Sequence, residues 1–215
     1  MAEEAAVHTF NLDRQNREIW LVGEHLELGN DLDLAEPGVE YRMASRFIKN
    51  LRILMLDSDE PILIHMKTCG GIDCEGFAIY DAIRLCPCQI TILSYTYARS
   101  MSSIILQAAD SRVLMPSSTV MLHMGDMWFG GQYQQVVSLV EFEKSREQMF
   151  LDVYIDVMKE GGKFEKWSPK RIDSMLREKM QEKTEVYLTA EEAVQWGLAD
   201  SIFDGDWGTL KGNKG

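Results

Sequence analysis

Ser100 has the sequence setting of a catalytic nucleophile. The run ITILSY before it is strand-like, and the segment 100–109 carries apolar residues at helical spacing, so Ser100 lies where a strand becomes a helix. The first N–H groups of a helix lack partners and attract negative charge, such as the oxyanion formed when a serine attacks a carbonyl. A serine is inert without a base, however, and from spacing alone a helix N-cap is the more ordinary role for Ser100.

Gly70 and Gly71 supply a second element of the same chemistry. They follow the apolar run ILIHM, so they mark a sharp turn at the end of a strand. Because glycine has no Cβ, a backbone N–H here can approach a substrate carbonyl closely and help to stabilise an oxyanion. The alternative is an ordinary tight turn with no chemical role.

His123 is the candidate base. It ends the apolar run TVML and is followed by Gly-rich sequence, which predicts a position at the end of a strand, facing a cleft. Three other histidines compete for the role: His8 near the N-terminus, His25 in an acidic segment and His65 inside ILIHM. Spacing alone favours His123 only slightly over His65.

The elements that must position these residues predict an α/β fold. Apolar runs at 19–22 and 62–66, together with ITILSY, RVLM and TVMLH, indicate strands, and helical spacing over 41–56 and from 72 to Pro87 indicates helices. A long helix is predicted at 132–159. Capping signals predict two more helices, one beginning at Ser168-Pro169 and one beginning at Thr189 and ending before Gly197.

The composition is that of a globular protein with an acidic surface. The 215 residues are 46% hydrophobic and 26% charged, and 22 basic against 34 acidic residues give a net charge of −12. That charge repels phosphate backbones and anionic membranes, which disfavours nucleic acid and membranes as partners. The N-terminus is acidic rather than signal-like, and no apolar run reaches the about 18 residues that span a bilayer, so we expect one domain, located in the cytoplasm.

The four cysteines do not have the spacing of a metal site. Cys69, Cys74, Cys86 and Cys88 are spaced as C-x4-C and C-x-C, whereas zinc sites usually pair CxxC units. Without an export signal, disulfides are not expected either. We therefore predict small buried thiols, no metal and no cofactor.

Four motifs, taken in order, resemble one protein family. They are ILIHMKTCGGIDCEGFAIYDAI, YARSMSSIILQAA, SSTVMLHM and YLTAEEAVQWGLADSI. This series resembles the proteolytic subunit of the Clp protease, in a divergent form, within the superfamily that also contains the crotonases. The resemblance covers the chain from about residue 62 to 202.

The resemblance implies roles for individual residues. Ser100 would be the nucleophile of a serine endopeptidase and His123 its base, and the backbone N–H groups of Gly71 and Met101 would form the oxyanion hole. An extended polypeptide substrate would add as an extra strand, which gives affinity with little sequence preference. The residues that would align this substrate are Gly70, Met127 and Phe129.

The resemblance also implies an assembly. Repeated ββα units would carry a protruding helical handle at about 124–160, by which two heptameric rings stack into a tetradecameric chamber. The chamber would degrade unfolded polypeptides supplied by an ATP-dependent unfoldase of the AAA+ class. Within the chain we expect a leader at 1–18, the peptidase domain at 19–204 and a tail at 205–215.

The third member of the triad is predicted to be a glutamate. In the family an aspartate stands two residues before the aromatic of a Phe-Leu-Ser segment, and an ungapped match through YLTAEEAVQWGL places Glu185 there, with Glu182 as the alternative. A glutamate can accept the Nδ1–H of His123 as an aspartate does. Other departures from the family pattern are Thr68-Cys69 before the glycine pair, Arg99 before the nucleophile and Met124-Gly125 after the histidine.

Other functions fit parts of the same pattern. A phage-type capsid-maturation protease, or a weakly active ring subunit, would keep the fold and change the task. A crotonase-like acyl-CoA enzyme would keep the glycine oxyanion hole but would use catalytic carboxylates instead of Ser100 and His123. A non-catalytic scaffold would retain the triad only as a remnant.

Overall fold

Helices and strands are interspersed along the chain in the computed structural model, which describes residues 2–23, 38–125 and 130–211. The helices are α1 (Ala2–Phe10), α2 (Tyr41–Asp57), α3 (Asp73–Arg84), α4 (Met101–Leu106), α5 (Tyr133–Glu160), α6 (Pro169–Lys183) and α7 (Ala190–Trp196). The strands are β1 (Leu12–Asp13), β2 (Glu18–Val22), β3 (Ile62–Thr68), β4 (Ile90–Arg99), β5 (Ser111–Leu114), β6 (Thr119–Leu122), β7 (Val186–Thr189) and β8 (Ser201–Ile202). A 3-10 helix spans Trp207–Lys211.

The strands form one sheet in which most pairs are parallel. Its order is β1-β2-β3-β4-β5-β8, and β6 pairs with both β4 and β7. Only the β1–β2 and β6–β7 pairs are antiparallel among the described strands. Parallel neighbours need crossover connections: α2 connects β2 to β3, and α3 connects β3 to β4. The predicted α/β class is confirmed.

Strand β4 changes its partner along its length. Its first half, through Ser94, pairs with β5, and its last three residues, Tyr97 to Arg99, pair with β6. Between the two halves the register with β3 shifts, and Thr96 has a φ of 59°. A bulge of this kind bends a strand, and here it aims the end of β4 at β6.

This bend was not predicted from the sequence. The run ITILSY predicts a short strand that ends at Tyr95, and a helix over 100–109, whereas β4 continues to Arg99 and α4 ends at Leu106. The bend depends on pairing with β6, a contact between residues far apart in the chain, so local spacing does not contain it.

Helix α5 matches the predicted long helix, and its buried residues all lie in its C-terminal half. Its buried residues are Leu151, Val153, Tyr154, Ile155, Val157 and Met158. The Tyr154 hydroxyl lies 2.6 Å from Ser103 Oγ in a fully buried contact, and burial raises the pKa of this tyrosine. The N-terminal half instead leaves Tyr133 and Phe142 exposed. An amphipathic helix would bury one stripe along its whole length, so this half extends beyond the core.

Both ends of the described chain pack onto the sheet. β1 lies inside the predicted leader 1–18 and pairs with β2. In the predicted tail 205–215, Leu210 is buried against Leu63, Leu93 and Val113. The helix α1 and the 3-10 helix were not predicted. The division into a leader at 1–18, a peptidase domain at 19–204 and a tail at 205–215 remains a proposal.

Within residues 2–23, 38–125 and 130–211, no helix is both long and apolar enough to cross a bilayer.

Candidate active site

Ser100 and His123 are joined by a hydrogen bond. Ser100 Oγ lies 2.7 Å from His123 Nε2, and both residues are half-buried. Ser100 follows the last residue of β4, and His123 follows the last residue of β6, which is the parallel neighbour of that part of β4. The carboxyl ends of two paired parallel strands thus bring a hydroxyl and an imidazole into the contact that a serine nucleophile needs.

The backbone at Ser100 is strained. Its φ of 52° and ψ of −129° lie outside the regions that L-residues normally occupy, at a cost of about 1–3 kcal/mol. Two hydrogen bonds hold the turn: Ser100 N–H donates to the Met121 carbonyl at 3.0 Å, and the Ser103 hydroxyl donates to the Ser100 carbonyl at 2.6 Å. The Ser100 side chain makes no cap hydrogen bond to α4, so it is free to face His123.

Gly70 lies directly against the nucleophile. A Cβ at Gly70 would stand 2.7 Å from Ser100 Cβ and 2.9 Å from Met101 N, and its φ is 96°. The Ser102 hydroxyl donates to the Thr68 carbonyl at 2.7 Å, which ties α4 to the end of β3. The glycine is needed for this close approach, and it brings the Gly-Gly segment beside the first turn of α4.

Gly71 presents its N–H to the open side of this segment. Val39 N–H donates to the Gly70 carbonyl at 2.6 Å, and Ile72 N–H donates to the Val39 carbonyl at 2.8 Å. In an extended segment, alternate residues point their polar groups to opposite sides. Because Gly70 and Ile72 face Val39, the Gly71 N–H faces away from it. Met101 N is the first amide of α4, where no intrahelical acceptor exists.

Glu185 is close to His123 in the sheet but its side chain is bonded elsewhere. The last β6–β7 pair is Leu122 with Val186, so His123 and Glu185 are the next residue on each antiparallel strand. Glu185 is exposed, and its Oε2 accepts the Tyr187 hydroxyl at 2.8 Å. This hydrogen bond raises the pKa of Tyr187. Glu182, the alternative acid, is exposed on the last turns of α6.

Arg99, the bulky residue before the nucleophile, packs between two aromatic rings. Its guanidinium lies 4.7 Å from the Tyr97 ring centroid and 5.6 Å from that of Tyr187. Its Nε is buried and has no hydrogen-bond partner within the described residues. Arg99 therefore lies beside the Tyr187–Glu185 pair, although the pair is far from it along the chain.

His65, the strongest competitor for the base, belongs to a separate buried cluster. Its Nδ1 lies 3.0 Å from the Tyr95 hydroxyl and its Nε2 lies 3.1 Å from Glu18 Oε2, while Trp20 stacks on the ring. The hydrogen bond from His65 lowers the pKa of Glu18. Both imidazole nitrogens are thus occupied by structural contacts.

Two competing histidines and two of the predicted substrate-aligning residues remain, and each is either exposed or outside the described residues. His8 is exposed on α1. His25, Met127 and Phe129 lie outside the described residues. The four cysteines are free thiols, but the prediction that they are buried holds only for Cys88: Cys69 and Cys86 are half-buried and Cys74 is exposed. Within the described ranges no group of three or more His, Cys, Asp or Glu residues could hold a metal ion.

Asp73 is an acidic residue near the Ser100–His123 pair that the sequence did not single out. It begins α3, two residues after Gly71, and is half-buried. Burial raises the pKa of its carboxyl, and the nearby charge of His123 is one of the influences that lower it. An acidic residue in the first turn of a helix is common, so its type and position carried no signal of a site.

Comparison with known proteins shows the family to which the chain belongs. A family model described as Clp protease matches residues 32–206. The chain belongs to the Clp protease family. It is 28% identical over 171 residues to the ATP-dependent Clp protease proteolytic subunit of Deinococcus radiodurans, an alignment that covers 77% of this chain and 76% of the relative. The family resemblance predicted from the four motifs is confirmed, and membership in a peptidase family supports hydrolysis of peptide bonds as the chemistry of this site.

Proposed function

We propose that this chain is a serine endopeptidase subunit in which Ser100 is the nucleophile and His123 the general base. The observation that supports this most directly is the 2.7 Å contact between Ser100 Oγ and His123 Nε2 at a strained strand-to-helix turn. A turn that costs free energy persists where the surrounding structure enforces it, and such turns are concentrated at functional sites.

In the proposed reaction His123 accepts and returns a proton twice, once in acylation and once in deacylation. Ser100 Oγ attacks the substrate carbonyl carbon as its proton passes to Nε2, which gives a tetrahedral oxyanion. The N–H groups of Gly71 and Met101 receive this oxyanion. The imidazolium then donates its proton to the leaving amine, the C–N bond breaks, and an acyl-enzyme remains. Water, deprotonated by the same imidazole, releases the acid and restores Ser100.

We propose Glu185 as the acid that orients His123. The β6–β7 register supports this role, because it brings residues 123 and 185 to facing ends of paired strands. In the present arrangement Tyr187 holds the carboxylate, so the side chain must rotate to accept the Nδ1–H of His123. The Tyr187 hydroxyl then competes with His123 for the same acceptor.

Substrate is proposed to add as a strand along the open edge of the glycine segment. Val39 already occupies one edge of Gly70 and Gly71, which leaves the edge on the Gly71 N–H side for an extended polypeptide. The family resemblance also assigns substrate alignment to Met127 and Phe129, and we propose that role for them. Main-chain pairing of this kind demands little of the substrate sequence.

The assembly is proposed from family membership and from α5. The exposed N-terminal half of α5 would be the handle by which two heptameric rings stack, and an AAA+ unfoldase would supply unfolded polypeptides to the chamber. The expected native mass is that of fourteen chains, each of 24.6 kDa. A monomer or a small ring by native mass spectrometry would contradict this assembly. A location in the cytoplasm, without nucleic acid or membrane partners, remains a prediction.

The alternatives have less support. A crotonase-like acyl-CoA enzyme has no need of the Ser100–His123 contact, and a scaffold has no need of a strained turn there. A capsid-maturation protease or a weakly active ring subunit would use the same residues. These two differ from the proposal in substrate and rate rather than in chemistry.

Replacing the nucleophile tests the proposed reaction. Ser100→Ala is expected to lower hydrolysis of a fluorogenic peptide by at least about 10³-fold, because the nucleophile is lost. Ser117→Ala, which removes an exposed hydroxyl from the loop before β6, should leave the rate unchanged. Peptide hydrolysis that persists in Ser100→Ala at the wild-type rate would rule out the serine mechanism.

Replacing the acid tests the third role. Glu185→Gln is expected to lower kcat by about 10²–10⁴-fold, since the imidazole loses the acceptor that fixes its tautomer. Glu182→Gln is the matched control and should have little effect. Tyr187→Phe, which removes the competing hydroxyl, should raise kcat. Should Glu182→Gln be the damaging change instead, the role would pass to Glu182.

A further inference from the structure

Asp73 lies on the side of α3 that faces the proposed nucleophile. Three residues before it, Gly70 is packed against Ser100. One turn after it, a Cβ at Gly76 would collide with the Met101 side chain, so α3 contacts the residue that follows the nucleophile. Residues three apart on a helix share a face, which directs Asp73 and Gly76 to the same side. The Asp73 carboxylate is thus a neighbour of the Ser100–His123 pair.

The charges around Asp73 come from three elements. Asp73 itself belongs to α3, Glu143 and Arg146 belong to α5, and His123 follows β6. Apart from His123, these groups are two carboxylates and one guanidinium, which leaves one excess negative charge. The guanidinium of Arg146 is held over the rings of Phe77 and Phe142, 5.5 Å from each centroid. It therefore acts on Asp73 as a nearby charge.

The Asp73 carboxylate has no cationic partner in contact. Among the described residues, no side chain makes a hydrogen bond or an ion pair with it. Burial raises the pKa of this carboxyl, which means that the charged form has lost part of its hydration. A cation brought to the site would replace the lost hydration, whereas an anion would be repelled.

We propose that Asp73 determines substrate specificity by binding a basic side chain of the residue that supplies the scissile carbonyl. This inference rests on the proposed function. In that reaction the carbonyl must lie between Ser100 Oγ and the N–H groups of Gly71 and Met101. Asp73 follows Gly71 by two residues, so a long side chain on the adjacent Cα can reach it. Lysine and arginine carry a cation at the end of such a side chain, and both are preferred over apolar and acidic residues of similar length.

A pair of substrates that differ only in charge provides the test. The probes are two fluorogenic peptides with arginine or with citrulline, its neutral isostere, at the cleaved residue. The wild-type protein is expected to show a kcat/KM at least about tenfold higher for arginine, as expected for a partly solvated ion pair. Asp73→Asn should reduce the arginine value about tenfold and leave the citrulline value within about twofold.

The matched control is Glu75→Gln, which removes the same charge from the same turn of α3. It should preserve the arginine preference, because the interaction is local rather than a long-range field. A wild-type protein that cleaves both peptides equally would overturn the proposal, and so would an Asp73→Asn variant that loses both activities in parallel. Cleavage of the citrulline peptide that depends on Ser100 shows that the proposed function holds whatever the preference. Absence of cleavage of either peptide would overturn both inferences together.

Discussion

The site depends on the strained turn at Ser100. The bulge at residues 95–97 bends β4 away from β5 and onto β6, and the Ser100 N–H continues that pairing by bonding the Met121 carbonyl. The same pairing places His123 at the end of β6, next to the hydroxyl. One bend in one strand therefore positions the nucleophile, its base and the first amide of α4 together.

The neighbouring elements hold this turn in place. Gly70 approaches so closely that no side chain fits, and Ser103 bonds both the Ser100 carbonyl and the buried Tyr154 of α5. The buried half of α5 is thus linked to the carbonyl of the nucleophile through the Ser103 hydroxyl. A buried polar group that loses its hydrogen-bond partner destabilises the fold, so α5 and the turn stabilise one another.

Local patterns predicted most of the fold and part of the site. Helical spacing and capping signals located α2, α3, α5, α6 and α7. For α7 the cause is visible, because Gly197 adopts the left-handed conformation that commonly terminates a helix. The motif order identified the family. The half-buried setting of Asp73 was beyond prediction, since it depends on Arg146 and His123, which only the folded chain brings near. The Glu185–Tyr187 hydrogen bond joins residues only two apart, but sequence spacing does not specify which way either side chain turns. The bend in β4 was not predicted either, because it depends on pairing with β6.

Activation of Ser100 by His123 is the central claim, and the rate at which a fluorophosphonate labels the protein tests it most directly. Intact mass and peptide mapping should find one adduct per chain, on Ser100, with a rate that falls by at least about 10³-fold in His123→Ala. The control His65→Ala removes the histidine of the separate cluster and should leave labelling of folded protein unchanged. Equal labelling rates in the wild-type protein and in His123→Ala, or an adduct on another residue, would contradict the account.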